Sequence, residues 1–240
     1  MIEDLAADRR ALDLLEQLSA PDAAGYVTLN PVPYRAHHLL LREALRVTGE
    51  GDRVFEGGVS SGYFARALVE AGRSVDGHEL DPVAAAAARK VCGTVYEGDL
   101  QAFDPSDIPD DYALVLFGDT LEHIGRPEDV LARLRPHIRP GGHLIVSVPN
   151  VANWAVRLQL LVGRFRYTDR GILDRTHVRW FTRATLAELV ESAGFEIESM
   201  MAAVPVPGVT SERFGRITHR LGNLLPGLMA YNFVVTARRT

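Results

Sequence analysis

The stretch "VFEGGVSSG", residues 54–62, decides how the rest of the chain is read. An apolar run ends on an acid, Glu56, and glycines follow at 57, 58 and 62. Glycine lets a backbone turn tightly and come close to a ligand. More short apolar runs follow: "SVDGHEL" (74–80), "TVYEG" (94–98), "YALVLFG" (112–118) and "HLIVSVP" (143–149). Helical segments separate them, at about 61–71, 82–91, 126–136 and 151–162. Strand and helix alternate, which predicts a doubly wound, Rossmann-like, mostly parallel α/β sheet with helices on both faces.

Upstream, residues 4–18 read as an amphipathic helix with Leu5, Leu12, Leu15 and Leu18 on one face. A proline-broken link, "TLNPVPYR", leads to a second helix over about 36–47. Downstream, Thr182 reads as the N-cap of a helix that ends before Gly194.

The 240-residue chain is long enough for one large domain with a real core. Its net charge of −5 offers no general grip on nucleic acid. A single cysteine, Cys92, rules out an intrachain disulfide and fits a reducing cytoplasm. No apolar stretch is long enough to span a bilayer, and the charged start lacks the apolar core of a signal peptide. A cytoplasmic protein with no membrane partner is expected.

Sheets of this kind bind ligands at the carboxyl ends of their strands. Those ends carry Glu56 to Gly62, then Glu79, then Gly98-Asp99-Leu100, then Asp119. A carboxylate at Glu79 suits a ribose diol. A pyrophosphate would want G-x-G-x-x-G, but Gly58, Ser60 and Gly62 follow an acid that would repel it. That speaks against a nicotinamide dehydrogenase. Glu56 suits a ligand carrying an ammonium group.

At these residues the chain resembles the class I S-adenosylmethionine-dependent methyltransferases. "VFEGGVSSG" is similar to their acid-x-G-x-G-x-G motif, with Ser60 in place of the middle glycine. "DYALVLFGDTLEHI" and "LRPHIRPGGHLIVSVPN" resemble the motifs that follow. The resemblance implies S-adenosylmethionine as cofactor, and a seven-stranded sheet whose last, antiparallel strand is "AYNFVVTARR". It implies that Glu56, Gly58, Ser60 and Gly62 hold the methionine side. Glu79 and Leu80 would take the ribose, and Asp99 and Leu100 the adenine, with Phe117 nearby. Residues 1–50 would form a helical cap over the cofactor, with Tyr34 and Arg35 reaching the methionine carboxylate. Residues 51–240 would be the catalytic domain. An insertion at about 205–228 would bear on the substrate, its helix near 211–221 acting as a lid or a homodimer contact.

Asp119, Glu122 and His123 stand at i, i+3 and i+4, so a helical turn would aim them together. They can hold a metal, move a proton or stabilise the turn. The D-x-x-E-H pattern followed by His177 resembles ubiquinone-biosynthesis O-methyltransferases and small-RNA 2′-O-methyltransferases. That resemblance implies Mg²⁺ or Mn²⁺ on Asp119, Glu122, His123 and His177; without metal, His123 or His177 would be the catalytic base. One of His37 and His38 would pack in the N-terminal helix. "PNVANWAVRLQLLVGRFRYTDRGILDRTHVRWFT" resembles bacterial methyltransferases of glycan and natural-product pathways. The expected acceptor is a small-molecule hydroxyl. N- or C-methylation and a non-catalytic cofactor-binding subunit are the alternatives.

Overall fold

In a computed structural model, residues 2–19, 29–205 and 211–240 are described. Residues 206–210 of the expected insertion therefore lie outside the described residues, as does Thr28. Two helices come first, α1 (Ile2–Leu18) and α2 (Ala36–Val47). The alternating part follows: β1 (Arg53–Gly57), α3 (Tyr63–Glu70), β2 (Ser74–Glu79), α4 (Pro82–Ala88), β3 (Val95–Glu97), β4 (Tyr112–Gly118), α5 (Pro127–Leu134) and β5 (Ile138–Pro149). Then come α6 (Trp154–Leu161), α7 (Arg183–Ser192), β6 (Phe195–Ala203), α8 (Glu212–Gly222), α9 (Pro226–Met229) and β7 (Asn232–Arg239).

The strands form one seven-stranded sheet in the order β3-β2-β1-β4-β5-β7-β6. β1 to β5 pair in parallel, while β7 runs antiparallel to both β5 and β6. This is the expected architecture, with the antiparallel strand where it was placed. Such strands are buried on both faces, which is why β4 is a continuous apolar run, "YALVLFG". Their side chains feed two cores. One holds Val54, Leu114 and Val234 together with Ala11, Leu15, Leu39 and Leu41 of the N-terminal helices. The other holds Phe55, Val115, Phe117 and Phe233 under α5 and α7. The buried face of α1 is centred on Ala11, Leu14 and Leu15, with Leu12 and Leu18 only partly covered.

Strand order reverses between β1 and β4, and ligands of such sheets bind in the crevice outside the carboxyl ends at a reversal of this kind. No helix among the described residues is long and apolar enough to cross a membrane.

Candidate active site

The glycine loop leaves β1 at that crevice. Gly58 and Gly62 lie at φ 75° and 81°, and Ser60 between them at φ 52°. All three are left-handed, so the position where the family motif has glycine is one that serine occupies under strain. Close packing adds to the demand for glycine. A Cβ on Gly57 would sit 2.2 Å from the Phe117 ring, and one on Gly58 would sit 2.7 Å from the Thr120 side chain.

Glu79 ties this loop to the next strand end. Its two carboxylate oxygens accept from the Ser60 N–H (2.7 Å) and the Asp81 N–H (2.9 Å). Leu80 beside it is 67% exposed, an apolar platform at the mouth of the crevice. Asp99 is exposed and accepts from the Gln101 N–H at 2.8 Å, which holds its loop in a tight turn. Leu100 and Phe117 are placed differently from the expectation of cofactor contact: both side chains are buried in the core beneath α5. Phe117 supports the loop through Gly57 instead of facing the crevice.

Glu56 is buried, and one of its oxygens has no hydrogen-bond partner. Burial, with Glu79 nearby, pushes its carboxyl up to about 8. Tyr63, at the start of α3, was not singled out in the sequence. Its hydroxyl pKa is raised by burial and by the fields of Glu56 and Asp119, which places it beside both acids.

The two adjacent histidines have separate fates. His38 is fully buried; its Nδ1 accepts the Tyr34 N–H, and burial holds it down to about 4. His37 accepts the Asn30 N–H, lies 5.7 Å from the Tyr63 ring, and feels Asp119. Tyr34 does not point toward a cofactor carboxylate. It is buried against His219, and its hydroxyl accepts from Arg216 Nε at 3.1 Å. Arg35 keeps a buried Nε with no partner among the described residues, so it remains available to an anion.

The stretch after β4 is not the α-turn that the i, i+3, i+4 spacing suggested. Asp119 takes φ 51°, and Leu121–His123 form a 3₁₀ turn. Asp119 therefore separates from its neighbours. Its Oδ1 accepts from Ser147 Oγ (2.6 Å) and Asn232 Nδ2 (2.7 Å). The groups that do converge are Glu122, His123 and His177, with one donor atom from each lying within 4.8 Å of the others. Asp119 does not belong to that cluster.

Glu122 is 1% exposed, and neither carboxylate oxygen has a partner among the described residues. Desolvation, and then the charge of Asp119, raises its pKa well above the usual range. The loop from α6 to α7 is docked here through the backbone, because Val178 and Arg179 N–H both donate to the Glu122 carbonyl. The two imidazoles meet edge to face at 4.9 Å. His177 Nδ1 donates to the Ile172 carbonyl (3.1 Å), and His123 Nδ1 to the Thr176 carbonyl (3.2 Å). A carbonyl can only accept, so each ring carries its proton on Nδ1 and keeps an Nε2 lone pair. His177 Nε2 is 4.0 Å from Glu122 Oε1, too far for a hydrogen bond. Burial lowers the His177 pKa, which keeps that lone pair free of a proton.

A family model described as a methyltransferase domain matches residues 8–200. The chain belongs to that family. It is an S-adenosylmethionine-dependent methyltransferase. A ubiquinone biosynthesis O-methyltransferase of Aeromonas salmonicida is 25% identical over 69% of this chain and 72% of its own length. A probable S-adenosylmethionine-dependent methyltransferase of Mycolicibacterium smegmatis is 30% identical over 70% of this chain and 61% of its own. Among solved structures, a methyltransferase from Mesorhizobium loti shares the fold at TM-score 0.58 and 20% identity, over 85% of this chain and 98% of that one.

Proposed function

We propose that this methyltransferase acts on a hydroxyl of a small molecule, of natural-product or glycan type, with help from a divalent cation held by Glu122, His123 and His177. The observation that carries the reading is Glu122: a buried carboxyl with two unpartnered oxygens facing two imidazole lone pairs. Leaving a carboxylate that way is costly unless something charged completes it. Oxygen donors favour Mg²⁺ or Mn²⁺; two imidazoles against one carboxylate move the preference toward Mn²⁺, Fe²⁺ or Zn²⁺. Such a cation makes a nearby hydroxyl more acidic at neutral pH. The likeness to proteins named ubiquinone biosynthesis O-methyltransferase supports oxygen as the acceptor atom.

The chain's own residues do the rest. Glu79 and Asp99 fix the nucleoside, and Glu56 and Arg35 take the ammonium and carboxylate of the methionine part. The acceptor hydroxyl, made more acidic by the cation, releases its proton to solvent water; its oxygen then attacks the methyl carbon, the carbon–sulfur bond breaks, and its electron pair neutralises the sulfonium to give S-adenosylhomocysteine. Asp119, whose Oδ1 is held by Ser147 and Asn232, is the carboxyl group placed to favour the positive sulfonium in this reading.

Chelator-treated protein should bind S-adenosylhomocysteine normally by calorimetry, lose turnover, and regain it on addition of Mn²⁺ or Mg²⁺. Glu122→Gln should keep cofactor affinity, lose metal content, and turn over about 100-fold more slowly. Full activity after chelation would remove the cation and leave the exposed His123 as the base.

A further inference from the structure

Two helices that follow strands at the carboxyl end of the sheet, α6 and α8, are apolar on their outer surfaces. In α6, Trp154, Leu158 and Leu161 are 52%, 55% and 82% exposed. They share one face of the helix, while Val156 on the other side packs on Ile172 and Leu173. In α8, Phe214, Ile217, Leu221 and, just beyond the helix, Leu224 form an exposed stripe at helical spacing. The opposite face of α8 is the one that packs: Gly215 lies against Tyr34 and Pro33, His219 bonds to the Ala202 carbonyl, and Gly222 lies against Val204. The outward stripe is therefore not a misplaced core face. Exposed aliphatic groups in this number mark a surface that meets something.

The two helices are built into one edge. Both follow strands, β5 and β6, whose last residues lie level with Asn232 of β7 at the carboxyl end of the sheet. Asn150 and Asn153, at the start of α6, donate to the carbonyls of Gly227 and Ala230 at the ends of α9. α9 directly follows α8. The loop from α6 to α7 then returns to Glu122.

Charge completes the picture. The chain carries a net −5, yet residues 151–180 hold six arginines against two aspartates, and 212–229 hold three arginines against one glutamate. Arg164, Arg166, Arg213 and Arg220 have no carboxylate partner among the described residues. On α8 the arginines at 213, 216 and 220 run along one border of the apolar stripe.

We infer that this edge docks on the surface of an anionic lipid bilayer, with α6 and α8 lying in the interface and the crevice facing the membrane. Aromatic and aliphatic residues on one face of a helix, bordered by arginines, are what interfacial binding requires. A soluble protein partner would need a complementary acidic surface with its own apolar patch; a bilayer of anionic lipids offers both at once. The expectation of no membrane partner rested on the lack of a spanning segment, and interfacial docking needs none. The inference does not depend on the cation or the acceptor proposed above.

The test is co-sedimentation of the full chain with phosphatidylcholine vesicles, with and without phosphatidylglycerol. Binding should be marked on the anionic vesicles, weak on the neutral ones, and reduced by salt. Leu161→Asp and Leu224→Asp should each weaken it by about tenfold. Both variants should retain S-adenosylhomocysteine binding, which shows that the fold is intact. Absence of wild-type binding to anionic vesicles would overturn the inference. So would equal binding by the two variants, or sedimentation equilibrium showing a dimer that Leu161→Asp dissociates, since a second copy would then cover the apolar face.

Discussion

Ser60 shows how far a single residue can be read from sequence. Its place in the glycine motif was evident; the left-handed φ of 52° that makes the motif want glycine was not. Ser60→Gly should stabilise the protein by about 0.5–1 kcal/mol, because relief of roughly 1–2 kcal/mol of left-handed strain outweighs the extra freedom of the unfolded chain. Gly58→Ala should act the other way, by about 1–3 kcal/mol, since it adds both strain at φ 75° and a Cβ 2.7 Å from Thr120. Denaturant unfolding of the two variants measures both. Glu79, Glu122 and His123 were legible because strand ends and short spacings are local, whereas His177, on a distant loop, was joined to them only through the family resemblance. The partners of Asp119 were not: Asn232 lies on β7 and Ser147 on β5, and only the finished sheet brings them to it. Phe117 was misread for a related reason. A strand end is known to one residue, but which side of the sheet each side chain faces depends on the register.

At the level of elements, two N-caps make a useful contrast. Thr182 caps α7 with a capping box closed by Thr185, at an exposed position, and the sequence announced it. Asn153 caps α6 through Ala155 N–H at 3.0 Å, and its amide also donates to the Ala230 carbonyl at 2.9 Å. Nothing in "NVANW" signals that second bond, because its acceptor comes from the segment after α9. Thr182→Ala should cost about 1 kcal/mol, the ordinary worth of a cap. Asn153→Ala should cost about 2–3 kcal/mol, because it also leaves the buried Ala230 carbonyl with fewer donors. The comparison is of denaturant midpoints at unchanged slope. Equal costs for the two variants would show that the tie between α6 and α9 adds nothing to the cap.

For the whole molecule, the alternating pattern foretold the sheet because each parallel strand must be covered on both faces by helices of its own neighbourhood. Its reversal between β1 and β4 gathers the acids of three strand ends around one crevice, and that gathering leaves a mark on stability. Glu56 has a folded pKa of about 8 against 4.5 for a free carboxyl, so the folded state binds the extra proton. Its contribution is complete at low pH and is lost as pH rises from 4.5 toward 8. His38 and His78 have folded values of about 4 against 6.5, both lowered chiefly by burial. The unfolded state binds their protons more readily, so stability is lost as pH falls from 6.5 toward 4. Between 4.5 and 6.5 the histidines lowered by burial, His37, His38, His78, His143, His177 and His219, outweigh the raised carboxyls of Glu56 and Glu122; above 6.5 only the two carboxyls act. The cofactor-free protein should therefore be most stable near pH 6.5, with Tm falling on both sides. Glu56→Gln should make the alkaline side shallower, with Glu122 keeping part of the slope, and should steepen the acid side above pH 4.5, where Glu56 no longer opposes the histidines. S-adenosylhomocysteine should flatten the same side in the wild type, because an ammonium group beside Glu56 makes its ionised form welcome. An alkaline slope undiminished by Glu56→Gln would place the responsible proton elsewhere, with Glu122 the next candidate.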